Sequence, residues 1–571
     1  MRTVLILLVL ICLFSCTKRE RLENEINLSL PDRISSIDPL NAYDTVSANV
    51  LYQVYDTLYQ YNYLKRPYSL EPLLAEEMPN ISQDGKTYLI KIKKNIFYHN
   101  NSSISAGRTL KAQDFINQIK RVAFIPHASS GWWLFDGKIQ GINQFRQQVG
   151  SDEAKLFELE ISGLKALDDY TLHIQLTDVF PNFIYALAMT FTSPIPLEVA
   201  QQDEILLQQE VGTGPFYISQ WNPNQGIKLK RFDKYHNDLY PKSGDRKTFD
   251  HNLLKDANKP LPFLSGINFL IMNEAQTRWL NFLTGKIDIM TLGKDQFNTA
   301  LKADGSLSDE LIKQNKLLHV EPALTYWWLS FNMQDPIVGK NRNLRKAIAH
   351  AINIDEYIQL FTNSTGLKAN SIYPPGIPGY SPLTRLNFTY DQNMAKKFLA
   401  QAGYPNGKGL PSIVFDVRGN NTTSRQIAEF IQKQLLAIDI KIEISTNTFP
   451  GFLQRSKNGQ LQFWLDGWAL DYPDAENILQ LLITPNKIPG PNVTQFSHPT
   501  VDQLYQKILK LSNDETKFEY MRQIEQIVSE EYVWLMLYYS RNYILSSPKV
   551  ENYRPSDFTF NWLKYIKNNN R

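Results

Sequence analysis

Residues 466–474 read Asp-Gly-Trp-Ala-Leu-Asp-Tyr-Pro-Asp, which sets carboxylates among large aromatic rings. Asp471 sits inside Trp468-Ala469-Leu470-Asp471-Tyr472. A carboxylate in such a setting is costly to desolvate unless a cation arrives to pair with it. The free α-amino group of a small ligand is such a cation. A zwitterionic ligand also needs a cation at its other end, and Arg418 can supply one. Asp416-Val417-Arg418 reads as the end of a strand, followed by a loop to Thr423 and then a helical pattern. In α/β lobes ligand contacts gather at such strand exits, and a guanidinium offers a planar fork to a carboxylate. Arg425 falls on the helix pattern and reads as a solvated face residue. Were Arg418 only a support for its loop, the neighbouring Asp416 would be its partner.

The other chemistry-bearing residues show no catalytic spacing. There is no HExxH, no GxSxG, no Walker A loop and no GxGxxG. The eight histidines are scattered, and His350 reads as a structural residue on a helix. Both cysteines, Cys12 and Cys16, lie in the first sixteen residues. The body therefore has no disulfide, no Cys-based zinc site and no Cys nucleophile. No metal or cofactor is implied. With 60 Lys+Arg against 57 Asp+Glu, the net charge of +3 argues against a dedicated nucleic-acid binder. A chain of 571 residues that is 43% hydrophobic and 20% charged has material for large cores.

The body that carries these residues mixes strand and helix signals. Tyr88–Lys93, Thr171–Leu176 and Ile440–Ser445 alternate as strands. Leu110–Val122, Asn343–Ile352, Thr423–Ala437 and Phe518–Val528 carry helical patterns. Their interleaving predicts α/β lobes. The polar stretch 236–262 is the best candidate for a surface insertion or lobe boundary. Gly212-Thr213-Gly214-Pro215 predicts positive-φ freedom and a fixed kink at a strand entry. At the N-terminus, Val4–Phe14 is apolar but too short to span a bilayer. Leu13-Phe14-Ser15-Cys16 then resembles the end of a bacterial lipoprotein signal, with Cys16 lipidated as the first mature residue.

Five stretches taken in order carry a resemblance: AEEMPNISQDGKTYLIKIKKNIFYH at 75–99, TLKAQDFI at 109–116, GTGPF at 212–216, LSFNMQDPIVGKNRNLRKAIAHAINID at 329–355, and DGWALDYPD at 466–474. Together they resemble the extracytoplasmic solute-binding proteins of ABC importers, in the large peptide-binding family 5, over about residues 30–565. Met78 stands where that pattern has Trp, and Asn100-Asn101 and Ala106-Gly107 depart from it in the small subdomain. Leu470 replaces a small residue.

The resemblance implies an α/β, two-lobe periplasmic-binding-protein-like fold of the large class, with an extra subdomain and the ligand cleft between the lobes. It implies a lipoprotein signal peptide at 1–15, a tether at 16–27 and a first lobe at 28–266 that includes a subdomain at about 46–174. The second lobe would cover 267–535, and 536–571 would return to complete the first. The family's Asp for a ligand ammonium carries over to Asp471, with Trp468, Ala469 and Tyr472 around it. The dipeptide-binding members' Arg for the ligand carboxylate carries over to Arg418. The oligopeptide-binding members use another Arg, three residues before the motif Trp, where this chain has Leu465; that favours short ligands. Implied partners are a peptide, an ABC permease, and a membrane reached through the lipid on Cys16. No nucleic acid would be involved, and the protein would be a monomer on the extracytoplasmic face of a bacterial membrane. The same fold could take a nickel complex, a cell-wall peptide or an opine. A lipid-anchored hydrolase would need a nucleophile or metal set that the sequence lacks.

Overall fold

The computed structural model describes residues 24–569 apart from 42–43, 101, 419–421, 448 and 489. Cys16 and the signal-like run before it lie outside the described residues.

Three main sheets organise the chain. In the first lobe the strand order is Glu25–Leu30, Gly266–Ile271, Gly226–Arg231, Phe216–Asn222. The first pair is parallel and the others antiparallel. Glu-Ile-Asn-Leu-Ser-Leu alternates as a half-buried strand should, with Ile26, Leu28 and Leu30 inside. An inserted sheet orders Asn80–Ile81, Thr87–Lys91, Thr171–Gln175, Leu164–Asp168 and packs on the helix Ala112–Ala123. The second lobe holds a mixed seven-stranded sheet. Its path is Ile289–Thr291, Trp534–Ser546, Leu317–Phe331, Phe463–Ala469, Ile413–Arg418, Ile442–Asn447, with Leu367–Lys368 beside Trp534–Ser546. One face packs Tyr326, Trp328, Met536 and Tyr539; the other packs Leu329, Phe331, Leu535 and Phe463. A sheet covered on both faces reads as continuous apolar sequence, and Trp534–Leu537 (Trp-Leu-Met-Leu) is buried throughout.

Sheet membership moves both expected crossings between lobes. The second lobe does not begin at 267, because Gly266–Ile271 pairs with Glu25–Leu30 in the first-lobe sheet. Nor does the return begin at 536, because Trp534–Ser546 is a central strand of the second-lobe sheet. The chain crosses between Ile271 and Ile289 and again after Ser546.

The stretch 236–262 is not a lobe boundary. It carries buried Tyr240, which stacks edge-on to Tyr565 with centroids 6.1 Å apart. Three ion pairs clamp it to the returning C-terminus: Asp238–Lys564 and Asp256–Lys567 at 2.7 Å, and Asp245–Arg554 at 2.6 Å. Gly212 and Gly214 are also needed for a different reason than expected. Neither has positive φ. A Cβ on either would collide with the Val54 carbonyl group at the end of the helix Thr45–Val54, to which the Gly214 amide donates at 3.0 Å.

Candidate functional site

The strand Phe463–Ala469 lies antiparallel to Leu317–Phe331, with Tyr326 opposite Trp468, Trp327 opposite Gly467 and Trp328 opposite Asp466. Gly467 leaves room for the Trp327 ring, which a Cβ would meet at 2.6 Å. Beyond Ala469 the Leu470 amide donates to the Leu324 carbonyl at 3.0 Å, and the chain turns into the short helix Glu476–Leu479.

Fully buried Asn477 organises this turn. Its carbonyl oxygen accepts from the Trp468 indole N–H at 3.0 Å and from the Asp471 amide at 3.1 Å. Its NH₂ donates to Asp471 Oδ2 at 3.1 Å. Asp471 is half-buried; burial first, then Tyr185, Tyr52 and Tyr68, and last the Asp471 charge, hold the Tyr61 hydroxyl well above the usual tyrosine range.

The other carboxylates have different tasks. Asp474 is buried and tied to Lys517 at 2.7 Å and to Asn182 of the first lobe at 3.1 Å. Tyr472 is buried, stacks on Tyr185 of the first lobe at 5.3 Å, and donates its hydroxyl to Glu476. Both residues join the lobes.

Arg418 ends the strand Ile413–Arg418, which runs parallel to Phe463–Ala469. Its guanidinium lies 5.6 Å from the Trp327 ring centre and donates to the Gly467 carbonyl at 3.4 Å. Its charge partner is Asp466, 3.6 Å away, and not Asp416. Asp416 is fully buried and is engaged by Arg455 at 3.0 Å. Asp466 also accepts from the Trp464 indole at 3.0 Å and from the Gly467 amide at 2.9 Å. Burial pushes its carboxyl up, against these two hydrogen bonds and the Arg418 charge.

Arg418, Asp466, Trp468 and Ala469 line one pocket of about 340 Å³, with Trp328 and Trp534 as further walls. The buried Trp534 indole N–H has no hydrogen-bond partner among the described residues. Of the residues expected from the sequence, Arg418, Trp468 and Ala469 therefore come together at the pocket. Asp471 follows two residues beyond it and is linked to Trp468 through Asn477. Asp466, Asn477, Trp328 and Trp534 were not singled out. Only Asp466 had a sequence signal, its place in the quoted motif. Among the described residues no group of three or more His, Cys, Asp or Glu is arranged for a metal, and no helix is long and apolar enough to cross a membrane.

Two α/β lobes joined by crossing segments are the architecture of the two-lobe periplasmic binding proteins, which hold a cleft between the lobes. The chain belongs to the bacterial extracellular solute-binding proteins, family 5, whose middle region matches residues 69–490. Members of this family are substrate-binding proteins of ABC importers rather than enzymes. The chain is 24% identical over 515 residues to heme-binding protein A of Haemophilus influenzae, covering 89% of this chain and 85% of that protein. It is 25% identical over 477 residues to the dipeptide-binding protein of Escherichia coli, covering 82% and 81%. Among solved structures, HbpA2 of Haemophilus parasuis matches with a TM-score of 0.75 and 22% identity, covering 95% of this chain and all of that one. DppA of Helicobacter pylori, in complex with the peptide STSA, matches at 0.69 and 24%, covering 96% and 99%. These structural likenesses show the fold.

Proposed function

We propose that the chain captures short peptides between its lobes and hands them to an ABC permease, while a lipid on Cys16 holds it at the extracytoplasmic face of a bacterial membrane. Asp471 takes the peptide's ammonium and Arg418 its carboxylate; Trp468 and Ala469 lie between them, and Tyr472 helps bring the lobes together. The observation that carries this reading is the link between the charges. Arg418 and Trp468 share a pocket, and Asn477 ties Trp468 to Asp471. The dipeptide-binding relative supports the same ligand class. Closure would swing the lobes about the crossings at 272–288 and just after Ser546, in the hinge manner of two-lobe binding proteins.

A haem reading is favoured by similarity to heme-binding protein A. Haem, however, has two carboxylates and no ammonium to pair with the Asp471 carboxylate. Mass spectrometry of ligand released by denaturing natively purified protein decides. Short peptides support the proposal; haem, or peptides of many residues only, would overturn it.

A further inference from the structure

The Asp466–Arg418 pair is not explained by a site that only has to hold a peptide. Asp466 is fixed without Arg418, by the Trp464 indole at 3.0 Å and the Gly467 amide at 2.9 Å. Arg418 approaches it only to 3.6 Å, whereas a full charge-assisted hydrogen bond to a carboxylate is about 2.7–2.9 Å. The guanidinium lies 5.6 Å from the Trp327 ring centre, and Arg418 lines the pocket together with Trp328, Trp468 and Trp534. Among the described residues, the other ionisable groups nearby are committed or neutral. Asp416, two residues before Arg418 on the same strand, is engaged by Arg455 of the helix Phe449–Lys457 at 3.0 Å. Tyr326, on the neighbouring strand, has its hydroxyl held well above its usual range by burial and then by the Asp466 charge. Val493 and Thr494, on the loop across the pocket, bring no charge.

We infer that Asp466 competes with the ligand's carboxylate for Arg418, so that a peptide with a free C-terminus binds together with a proton taken up by Asp466. This rests on the assignment of Arg418 to the peptide carboxylate. Without ligand, one cation faces one anion. The ligand adds a second anion beside the same guanidinium, and two carboxylates sharing one site cannot both stay ionised cheaply. Asp466 is the group that gives way. Burial already favours its neutral form, and a peptide's terminal carboxyl starts lower, at about 3.3–3.7. The proton comes from solvent and stays on Asp466, whose other oxygen can still accept from Trp464. A peptide amide brings no second anion and takes up no proton.

The test is calorimetric titration of Ala-Phe and of Ala-Phe amide into the mature protein and its Asp466→Asn variant. The titrations use buffers of different ionisation enthalpy at about pH 5–7, where the α-amino group stays charged (about pH 8 for its own titration). Wild type should take up close to one proton per Ala-Phe bound, and its affinity should rise by up to about tenfold for each pH unit lowered. The amide should show neither effect, which separates Asp466 from any titration at Asp471, since both peptides meet Asp471 alike. Asp466→Asn should bind Ala-Phe more tightly than wild type at pH 7, with no proton uptake. If wild type binds Ala-Phe without taking up a proton, the inference falls and the peptide reading stands. If neither peptide binds, both fall. The wild-type arms decide even if the variant does not fold.

Discussion

The buried Asn477 carboxamide donates to the Asp471 carboxylate at 3.1 Å while its carbonyl receives the Trp468 indole at 3.0 Å. One side chain thus sets both the carboxylate proposed for a ligand ammonium and a wall of the adjoining pocket. Asn477 acts as a positioning residue. Asn477→Ala should weaken binding of a free dipeptide more than that of its N-acetylated form, because only the former needs Asp471 held in place. A purely structural role would weaken both equally and appear only as a lower melting temperature. Competition titrations of the two peptides into the variant distinguish these outcomes.

Gly212→Ala should destabilise the first lobe by at least about 1–3 kcal/mol, the cost of overpacking a close contact. The added methyl meets the Val54 carbonyl, which belongs to backbone and cannot rotate away. The same segment receives the buried His99 amide at the Gly212 carbonyl and the His99 ring at the Gly214 carbonyl, both at 2.9 Å. Urea denaturation of the variant checks the loss.

His319 connects acidity to stability near the second crossing. Burial, and behind it the His251 charge, lowers its titration from 6.5 to about 4. Its Nε2 lies 2.8 Å from the Ser546 hydroxyl, and its ring meets Tyr553 edge-on at 4.9 Å. A histidine kept neutral in the fold contributes stability that is complete above the unfolded value and is lost as pH falls through 6.5 towards 4. The loss by pH 5 should be about 2 kcal/mol. His319→Gln should remove that part of the slope, measured as the difference between wild-type and variant melting at pH 7 and pH 5.

Cys16→Ala should release the protein from membranes, because acyl chains on one residue are the proposed anchor. The check is sedimentation after a high-salt wash. A variant that still pellets would contradict lipidation at Cys16.

Local elements were legible where one periodicity ruled. Thr87–Lys91, Thr171–Gln175 and Arg342–Ala351 fall within one to two residues of the expected ends. The strand Trp534–Ser546 escaped because a strand buried on both faces shows no alternation. That moved the expected second crossing about ten residues early. Gly212 and Gly214 were recognised as architectural, but the reason, a helix end pressed against them, exists only in three dimensions. Asp416, the partner expected only if Arg418 merely supported its loop, is not its partner, for a similar cause. Asp416 is nearer in sequence, yet Arg455, 39 residues further on, occupies it, and strand pairing brings Asp466 instead. The residues that carried over from the family pattern lie at the ends of two paired strands, Ile413–Arg418 and Phe463–Ala469, and on the turn after the second. Trp328 and Trp534 reach the site by strand pairing, and Asn477 by its hydrogen bonds to Trp468 and Asp471.

The central claim is that Asp471 holds the free ammonium of a short peptide. Its most direct test is calorimetric titration of Ala-Phe and N-acetyl-Ala-Phe into the mature protein, with Asp471→Asn alongside. Removing one partner of a desolvated charge pair costs about 2–5 kcal/mol, which is about 30- to several-thousand-fold in affinity. Acetylation of the ligand and Asp471→Asn should each produce a loss of that size, and the two together little more than either alone. Equal affinity of the wild type for the free and acetylated peptides would contradict the claim.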